Sequence, residues 1–147
     1  MSVTTSSMGN SHLADAYDIH KQSVYSPWQW ATFEDCTLPP YAGLVALREN
    51  RVSGYALLLF ASVEATLMDI AVRASQRGAG IGKALMNEVI ATCRDRQSEE
   101  IWLEVRAGNT VAIGLYESFG FEIIEIRKHY YPAAEGREDA LIMKKCL

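Results

Sequence analysis

Residues 65–93 read ATLMDIAVRASQRGAGIGKALMNEVIATC, and the rest of the fold follows from this stretch. Ala65 to Val72 form a short apolar run of strand length, bounded by polar residues, which predicts a strand. Glycines stand at 78, 80 and 82. Beyond them Leu85, Met86, Val89, Ile90 and Cys93 fall at i, i+1, i+4, i+5 and i+8, the apolar stripe of an amphipathic helix that faces a sheet. A strand running through a glycine-rich turn into a helix leaves several amide N–H groups unpaired at the positive end of the helix dipole. Such a terminus is an anion site, and Arg77 and Lys83 flank it, although turns of this kind are often purely structural.

Working outward, Ile101 to Arg106 predict a strand, Asn109 to Phe119 a helix stopped by Gly120, and Phe121 to Ile126 and Ala140 to Lys144 two final strands. Upstream, Tyr41 to Arg48 and Val52 to Phe60 are separated by the polar turn Glu49-Asn50-Arg51, so they predict an antiparallel hairpin. Leu13 to Val24 and Trp28 to Asp35 predict two helices, closed by Pro27 and by the tandem prolines 39 and 40. Antiparallel strands followed by β-α-β-α-β imply an α/β fold: a mixed, mostly antiparallel twisted sheet flanked by helices on both faces. Residues 1–11 are Ser/Thr/Gly/Asn-rich and are expected to be a flexible tail, with 12–147 a single domain.

The chain has 147 residues, 49% of them apolar and 22% charged, which excludes wholesale disorder, collagen and coiled coil. Its formal charge of −4 argues against unspecific binding to nucleic acid or an anionic membrane and permits a basic partner. The longest apolar run, Tyr55 to Ala61, is far shorter than the ~20 residues of a membrane-spanning helix. Residues 1–11 lack the positive patch and apolar core of a secretory signal. Cys36, Cys93 and Cys146 are widely spaced, and His12, His20 and His129 show no ligand spacing, so neither a disulfide framework nor a metal is expected. A cytoplasmic protein is the expectation.

Spacing then discriminates among phosphate-binding turns. A P-loop needs G-x-x-x-x-G-K-[ST], but Arg77 stands at the first glycine and Ala84 follows Gly82-Lys83. A dinucleotide fingerprint needs G-x-G-x-x-G, and Leu85 occupies its last glycine. Arg77-x-x-Gly80-x-Gly82 fits without mismatch the pyrophosphate turn [QR]-x-x-G-x-[GA], and here the chain resembles the GCN5-related N-acetyltransferases. The segments Ala65 to Lys83, WLEVRAGNTVAIGLYESFGF (102–121), Tyr130-Tyr131-Pro132 and GREDALIM (136–143), with Ser26-Pro27-Trp28, resemble the ribosomal-protein-alanine branch of that superfamily. The likeness spans roughly residues 12–147. It departs at Arg73-Ala74-Ser75, where Asp-Pro usually follows the strand valine, and at His129, where a smaller polar residue is expected.

The resemblance implies acetyl-CoA as co-substrate, no metal, and as partner the N-terminal peptide of a small-subunit ribosomal protein, basic with alanine first, acetylated by a monomeric enzyme without an acetyl-enzyme intermediate. It places the pyrophosphate on Arg77, Gly78, Ala79, Gly80, Ile81, Gly82 and Lys83, and the pantetheine arm along Ile70, Ala71 and Val72. Glu104 is the implied base and Tyr116 the implied acid; the ordinary fate of such residues is a solvated strand carboxylate and a core-rim phenol. Asn109 is a helix N-cap, a pantetheine contact or both. Trp28, Tyr130 and Tyr131 are candidate walls of an acceptor groove, with Glu34, Asp35 or Glu135 available to a basic peptide. Two rivals stay open: an acetyltransferase of small amines, and a CoA-binding module without turnover.

Overall fold

A computed structural model describes residues 2–133 and 136–147. Its strands are β1 (Thr4–Ser7), β2 (Tyr41–Arg48), β3 (Arg51–Ala61), β4 (Glu64–Val72), β5 (Glu100–Arg106), β6 (Glu122–Ala133) and β7 (Gly136–Cys146). Its helices are α1 (Asn10–Ser23), α2 (Trp30–Asp35), α3 (Ile81–Asp95) and α4 (Thr110–Ser118), with a short 3-10 turn at Ala74–Gln76. The strands form one sheet in the order β1-β2-β3-β4-β5-β7-β6. Among the described residues only β4 and β5 pair in parallel, as expected for two strands joined by the crossover helix α3.

Both faces of this sheet are covered. On one, Leu85, Met86, Val89 and Cys93 of α3 pack with Ala56, Leu58, Ala65, Ile101 and Leu103, and Tyr116 of α4 joins the same cluster. Each large apolar side chain buried there contributes about 1.5–3 kcal/mol. On the other face Leu13, Ala16 and Ile19 of α1 and Phe33 of α2 pack on Val45, Tyr55 and Leu57. Residues 55–58 show why the central strand reads as a continuous apolar run: Tyr55 and Leu57 serve one layer, Ala56 and Leu58 the other.

Two expectations need correction. The described part of residues 1–11 is not a loose tail: Thr4–Ser7 pair antiparallel with Leu44–Leu47, and α1 begins at Asn10. Backbone pairing satisfies this polar segment, Thr5 bonds to Glu88 of α3, and the Gly9 N–H donates to His12 Nδ1 at 3.0 Å, stabilising the first turn of α1. The last two strands are also longer than the apolar runs suggest. Strand β6 is almost wholly exposed and β7 exposed at its start, so no apolar alternation marks those residues. Their register shifts between Arg127 and Tyr131, where His129 adopts φ 55° and its N–H donates to Asp139 Oδ1 at 2.9 Å.

Gly54 sets the spacing between sheet and α3. A Cβ there would lie 2.8 Å from the Ala71 carbonyl oxygen and 3.0 Å from Leu85 Cδ1. Gly54→Ala is therefore expected to destabilise the fold by about 1–3 kcal/mol, the usual range for overpacking, as read from a shifted midpoint in urea unfolding.

Candidate active site

The site originates in one irregularity of β4. Opposite Leu57 and Leu58 of β3 stand Asp69 and Leu67, so Met68 is an extra residue in the ladder. The bulge reverses the strand's phase: Leu67 joins the α3 layer, and Ala71 belongs to the layer under α1 and α2. Pairing of β4 with β5 also ends at Leu67 and Leu103. Ile70, Ala71 and Val72 stay paired to Ala56, Tyr55 and Gly54 of β3, and among the described residues no strand pairs with their other edge. Alternate backbone groups of this segment face the gap.

A cleft of about 710 Å³ fills the splay. Its walls are the segment from Ser23 to Trp28 after α1, residues 67–70 of β4, residues 103–106 of β5, Asn109 and Tyr116, and Tyr131-Pro132 of β6. Glu104 projects into it from the face of β5 opposite Leu103 and Val105. Its Oε2 accepts from the Tyr131 hydroxyl at 3.3 Å, and Oε1 lies 3.8 Å from Arg127 Nη1. Burial, then the charge of Glu104 and the hydrogen bond to it, push the Tyr131 phenol up to about 12. Arg106 stacks on Tyr131 at 4.5 Å and on Tyr25 at 5.4 Å, donates to the Pro132 carbonyl at 2.8 Å, and pairs with Glu138 at 3.3 Å.

Tyr116 reaches the cleft from α4. It is 5% exposed, and its hydroxyl has no hydrogen-bond partner among the described residues. Burial, with the charge of Asp69 and then Tyr131 adding to it, raises the phenol above the ordinary tyrosine range. Asn109 is the N-cap of α4, accepting from the Ala112 N–H at 3.2 Å, and it lines the cleft as well. Trp28 lines it too.

The floor of the cleft is a polar network that sequence reading did not single out. The Trp28 N–H donates to His20 Nε2 at 2.9 Å, which makes that nitrogen an acceptor and assigns the ring proton to Nδ1. His20 Nδ1 then donates to Asp69 Oδ2 at 2.7 Å, and the Tyr55 hydroxyl donates to the same oxygen. His20 is 1% exposed and Tyr55 fully buried. Burial first, then Asp69, raises the Tyr55 phenol far above its usual range. The residues lie 35 and 49 positions from His20, beyond the reach of any local motif. The only signal available was a His on the apolar face of α1 and an Asp within an otherwise apolar strand.

The glycine turn has the shape the motif requires. Gly78 and Gly80 adopt φ +85° and +80°, with nothing within 4 Å of where a Cβ would stand. Gly80 is the N-cap of α3, and among the described residues no side chain caps the helix; Arg77, Gly78, Ala79, Gly80 and Lys83 around this terminus are exposed. Arg73, where Asp-Pro is usual, ties this loop to the start of β3: its N–H donates to the Ser53 carbonyl at 2.7 Å and its guanidinium to the Val52 carbonyl at 3.0 Å.

Other candidates fall outside the cleft. Tyr130 does not line it; as the strand neighbour of Tyr131 it faces the other way, and the two rings meet edge-on at 5.1 Å. Glu34 and Asp35 sit exposed at the end of α2 and do not line it either, and Glu135 lies outside the described residues. Among the described residues no cluster of three or more His, Cys, Asp or Glu could hold a metal, and no helix is long and apolar enough to cross a membrane.

With this geometry in view, comparisons with known proteins place the chain. Residues 9–121 match the acetyltransferase (GNAT) family, and the chain belongs to that family. It is 38% identical over 140 residues to the [ribosomal protein bS18]-alanine N-acetyltransferase of Escherichia coli, covering 95% of each chain. The crystal structure of the ribosomal-protein-S18-alanine N-acetyltransferase from E. coli superposes with a TM-score of 0.93 at 36% identity, covering 99% of this chain and 94% of that one. A phosphinothricin acetyltransferase from Sinorhizobium meliloti, solved in complex with AcCoA, shares the fold: TM-score 0.88, 24% identity, 100% of this chain and 89% of that one. The protein is an acetyltransferase with the mixed sheet of that family.

The cysteines offer a check on the packing. Cys36 and Cys93 are buried and Cys146 is exposed. Burial pushes the Cys93 thiol up to about 12, against a small lowering by Arg96, and burial likewise raises Cys36. At pH 8 the folded protein is expected to add one iodoacetamide rapidly, at Cys146, and to react at Cys36 and Cys93 only after denaturation, as read by intact and peptide mass.

Proposed function

We propose that this protein transfers an acetyl group from acetyl-CoA to the N-terminal alanine amine of a small-subunit ribosomal protein. The observation that carries the reading is the meeting in one cleft of a carboxylate, Glu104, and a partner-free phenol, Tyr116, beside the unpaired edge of β4. The identity to alanine acetyltransferases over 95% of the chain supports the acceptor class.

The residues suit acetyl-CoA. Left-handed, open glycines and uncapped amides at the start of α3 match a diphosphate. Ile70, Ala71 and Val72 offer main-chain groups to an extended pantetheine arm, in the manner of an added strand. Asn109 reaches the same space from the start of α4. When bound, acetyl-CoA supplies the activated acetyl thioester.

The chain's own residues supply the rest. An α-amine has a reference pKa of about 7.7–8.0, so at neutral pH most of it must lose a proton before it can attack. Glu104, partly exposed and held by Tyr131, takes that proton directly or through water. A main-chain N–H of residues 70–72 polarises the acetyl oxygen, an effect of about 2.7–4 kcal/mol per donor in studied enzymes. Tyr116 holds its proton throughout the working range and donates it to the departing sulfur, and the second proton that the nitrogen sheds as the amide forms returns through water to the Tyr116 oxygen. Trp28 and Tyr131 form opposite walls for the peptide. With both groups served, transfer is direct, and neither buried cysteine takes part.

Incubation with acetyl-CoA and a peptide beginning Ala-Arg is expected to add one acetyl group at the α-amine, located by fragment-ion mass spectrometry. Turnover of polyamines or aminoglycosides alone would overturn the acceptor, and acetyl-CoA binding without any turnover would overturn the enzyme reading. Tyr116→Phe is expected to lower kcat by about 10²-fold with unchanged acetyl-CoA affinity.

The pH profile follows from signs. The peptide binds as its ammonium, so kcat/KM declines as pH passes the α-amino range, and the phenol is read from kcat at saturating peptide. The phenol must be protonated, and because burial raises its pKa, the alkaline fall in kcat is expected only above pH ~10, the ordinary tyrosine value. A fall centred near pH 9 in the kcat profile at saturating peptide would remove Tyr116 from the acid role.

A further inference from the structure

We infer that Asp69 is the acceptor-binding carboxylate of the cleft: its free oxygen, Oδ1, docks the positively charged ammonium of the incoming N-terminus before Glu104 removes a proton. The inference rests on the amine acceptor proposed above and adds a residue to that site.

The first ground is uncompensated charge. Asp69 lines the cleft with its side chain only 12% exposed, and the sole basic group within ion-pair distance among the described residues is His20. His20 does not neutralise it, because its Nε2 is occupied as acceptor of the Trp28 N–H and its single proton lies on Nδ1. The neighbouring arginines are engaged elsewhere, Arg106 with Glu138 and Arg127 with Glu104 and Glu125. A largely buried carboxylate without a cation is costly, and a ligand that brings one gains that energy on binding.

The second ground is orientation. Both hydrogen bonds to Asp69 end on Oδ2, from His20 and Tyr55, and Oδ1 has no partner among the described residues. Since Oδ1 is also absent from the fully buried unpaired atoms, it opens to the cleft. The two donors are themselves buried and come from α1 and β3, so they fix the carboxylate against rotation. A carboxylate held at one oxygen and open at the other is built to receive a hydrogen-bonding cation, and a charge-assisted bond is the strong kind. The bulge at Met68 faces Asp69 to the same side as Glu104, on the strand segment that precedes Ile70. Docking moves no proton; it sets the nitrogen at the unpaired edge of β4, and Glu104 then receives the proton.

The test compares two unreactive peptides by calorimetry on the full chain with CoA present. One begins with N,N-dimethylalanine followed by arginine, which keeps a cationic N–H; the other begins with a propionyl group in place of alanine, which removes the amine. The wild type is expected to bind the first at least about 10-fold more tightly. Asp69→Asn, whose amide oxygen still accepts from His20 and Tyr55, is expected to bring that ratio close to one, and Glu104→Gln to retain most of it. Tyr55→Phe, which removes one donor and keeps the charge, is expected to retain it too. Binding of neither peptide would overturn the peptide reading above and this inference with it. Equal binding of both by the wild type, or loss of discrimination in Glu104→Gln or Tyr55→Phe but not in Asp69→Asn, would overturn the Asp69 assignment alone.

Discussion

The extra residue at Met68 is the constraint on which the molecule's chemistry depends. A regular β4 would continue to pair with β5 and would keep the same alternation of faces to its end. The bulge breaks both habits within one residue. It ends the parallel ladder at Leu67 and Leu103, opening a main-chain edge, and it turns Asp69 toward the layer of α1 and α2. A hydrogen-bonding edge and a polar floor thus come from the same few residues. The rest of the sheet holds that strand in place through antiparallel pairing with β3 along almost its whole length.

Around this strand the two helical layers divide the labour. The α3 layer brings the glycine turn to the end of β4, where the dipole and free amides of the helix suit an anion. The α1 and α2 layer brings His20 and Trp28 to the opposite side, where polar groups meet the cleft. Gly54 lets α3 approach closely enough for Leu85 and Ile81 to seal the first layer. The α1 and α2 side of the cleft therefore carries carboxylates and aromatic rings.

Much of this was legible from local pattern. The helical stripe from Leu85 to Cys93, the glycines at 78, 80 and 82 and the alternation of Ile101, Leu103 and Val105 depend on neighbours a few residues apart, and they yielded the central β-α-β unit and its turn. Pairings distant in the chain left little trace. Strand β1 is polar because it lies at the sheet edge, and β6 is exposed for most of its length, so neither shows a buried face. The meeting of His20, Tyr55 and Asp69 exists only after α1 has crossed β3 and β4, and the bulge that turns Asp69 inward has no signature in the run ATLMDIAV. Tyr130 and Tyr131 face opposite sides of β6 by strand alternation, but which of them meets the cleft is fixed by a register that shifts between Arg127 and Tyr131 and leaves no mark in the sequence.

The stack of Arg106 between Tyr25 and Tyr131 has a mechanical consequence. Tyr25 belongs to the loop after α1 and Tyr131 to the β6–β7 hairpin, and the guanidinium touches both while also holding the Pro132 carbonyl and Glu138. One planar cation from β5 therefore acts as a keystone between two banks, a helical loop that rests on the middle of the sheet and a strand at its edge. The width of the channel is tied to the rotamer of a single side chain, and a bulky guest that spreads one bank must either drag the other or break the stack.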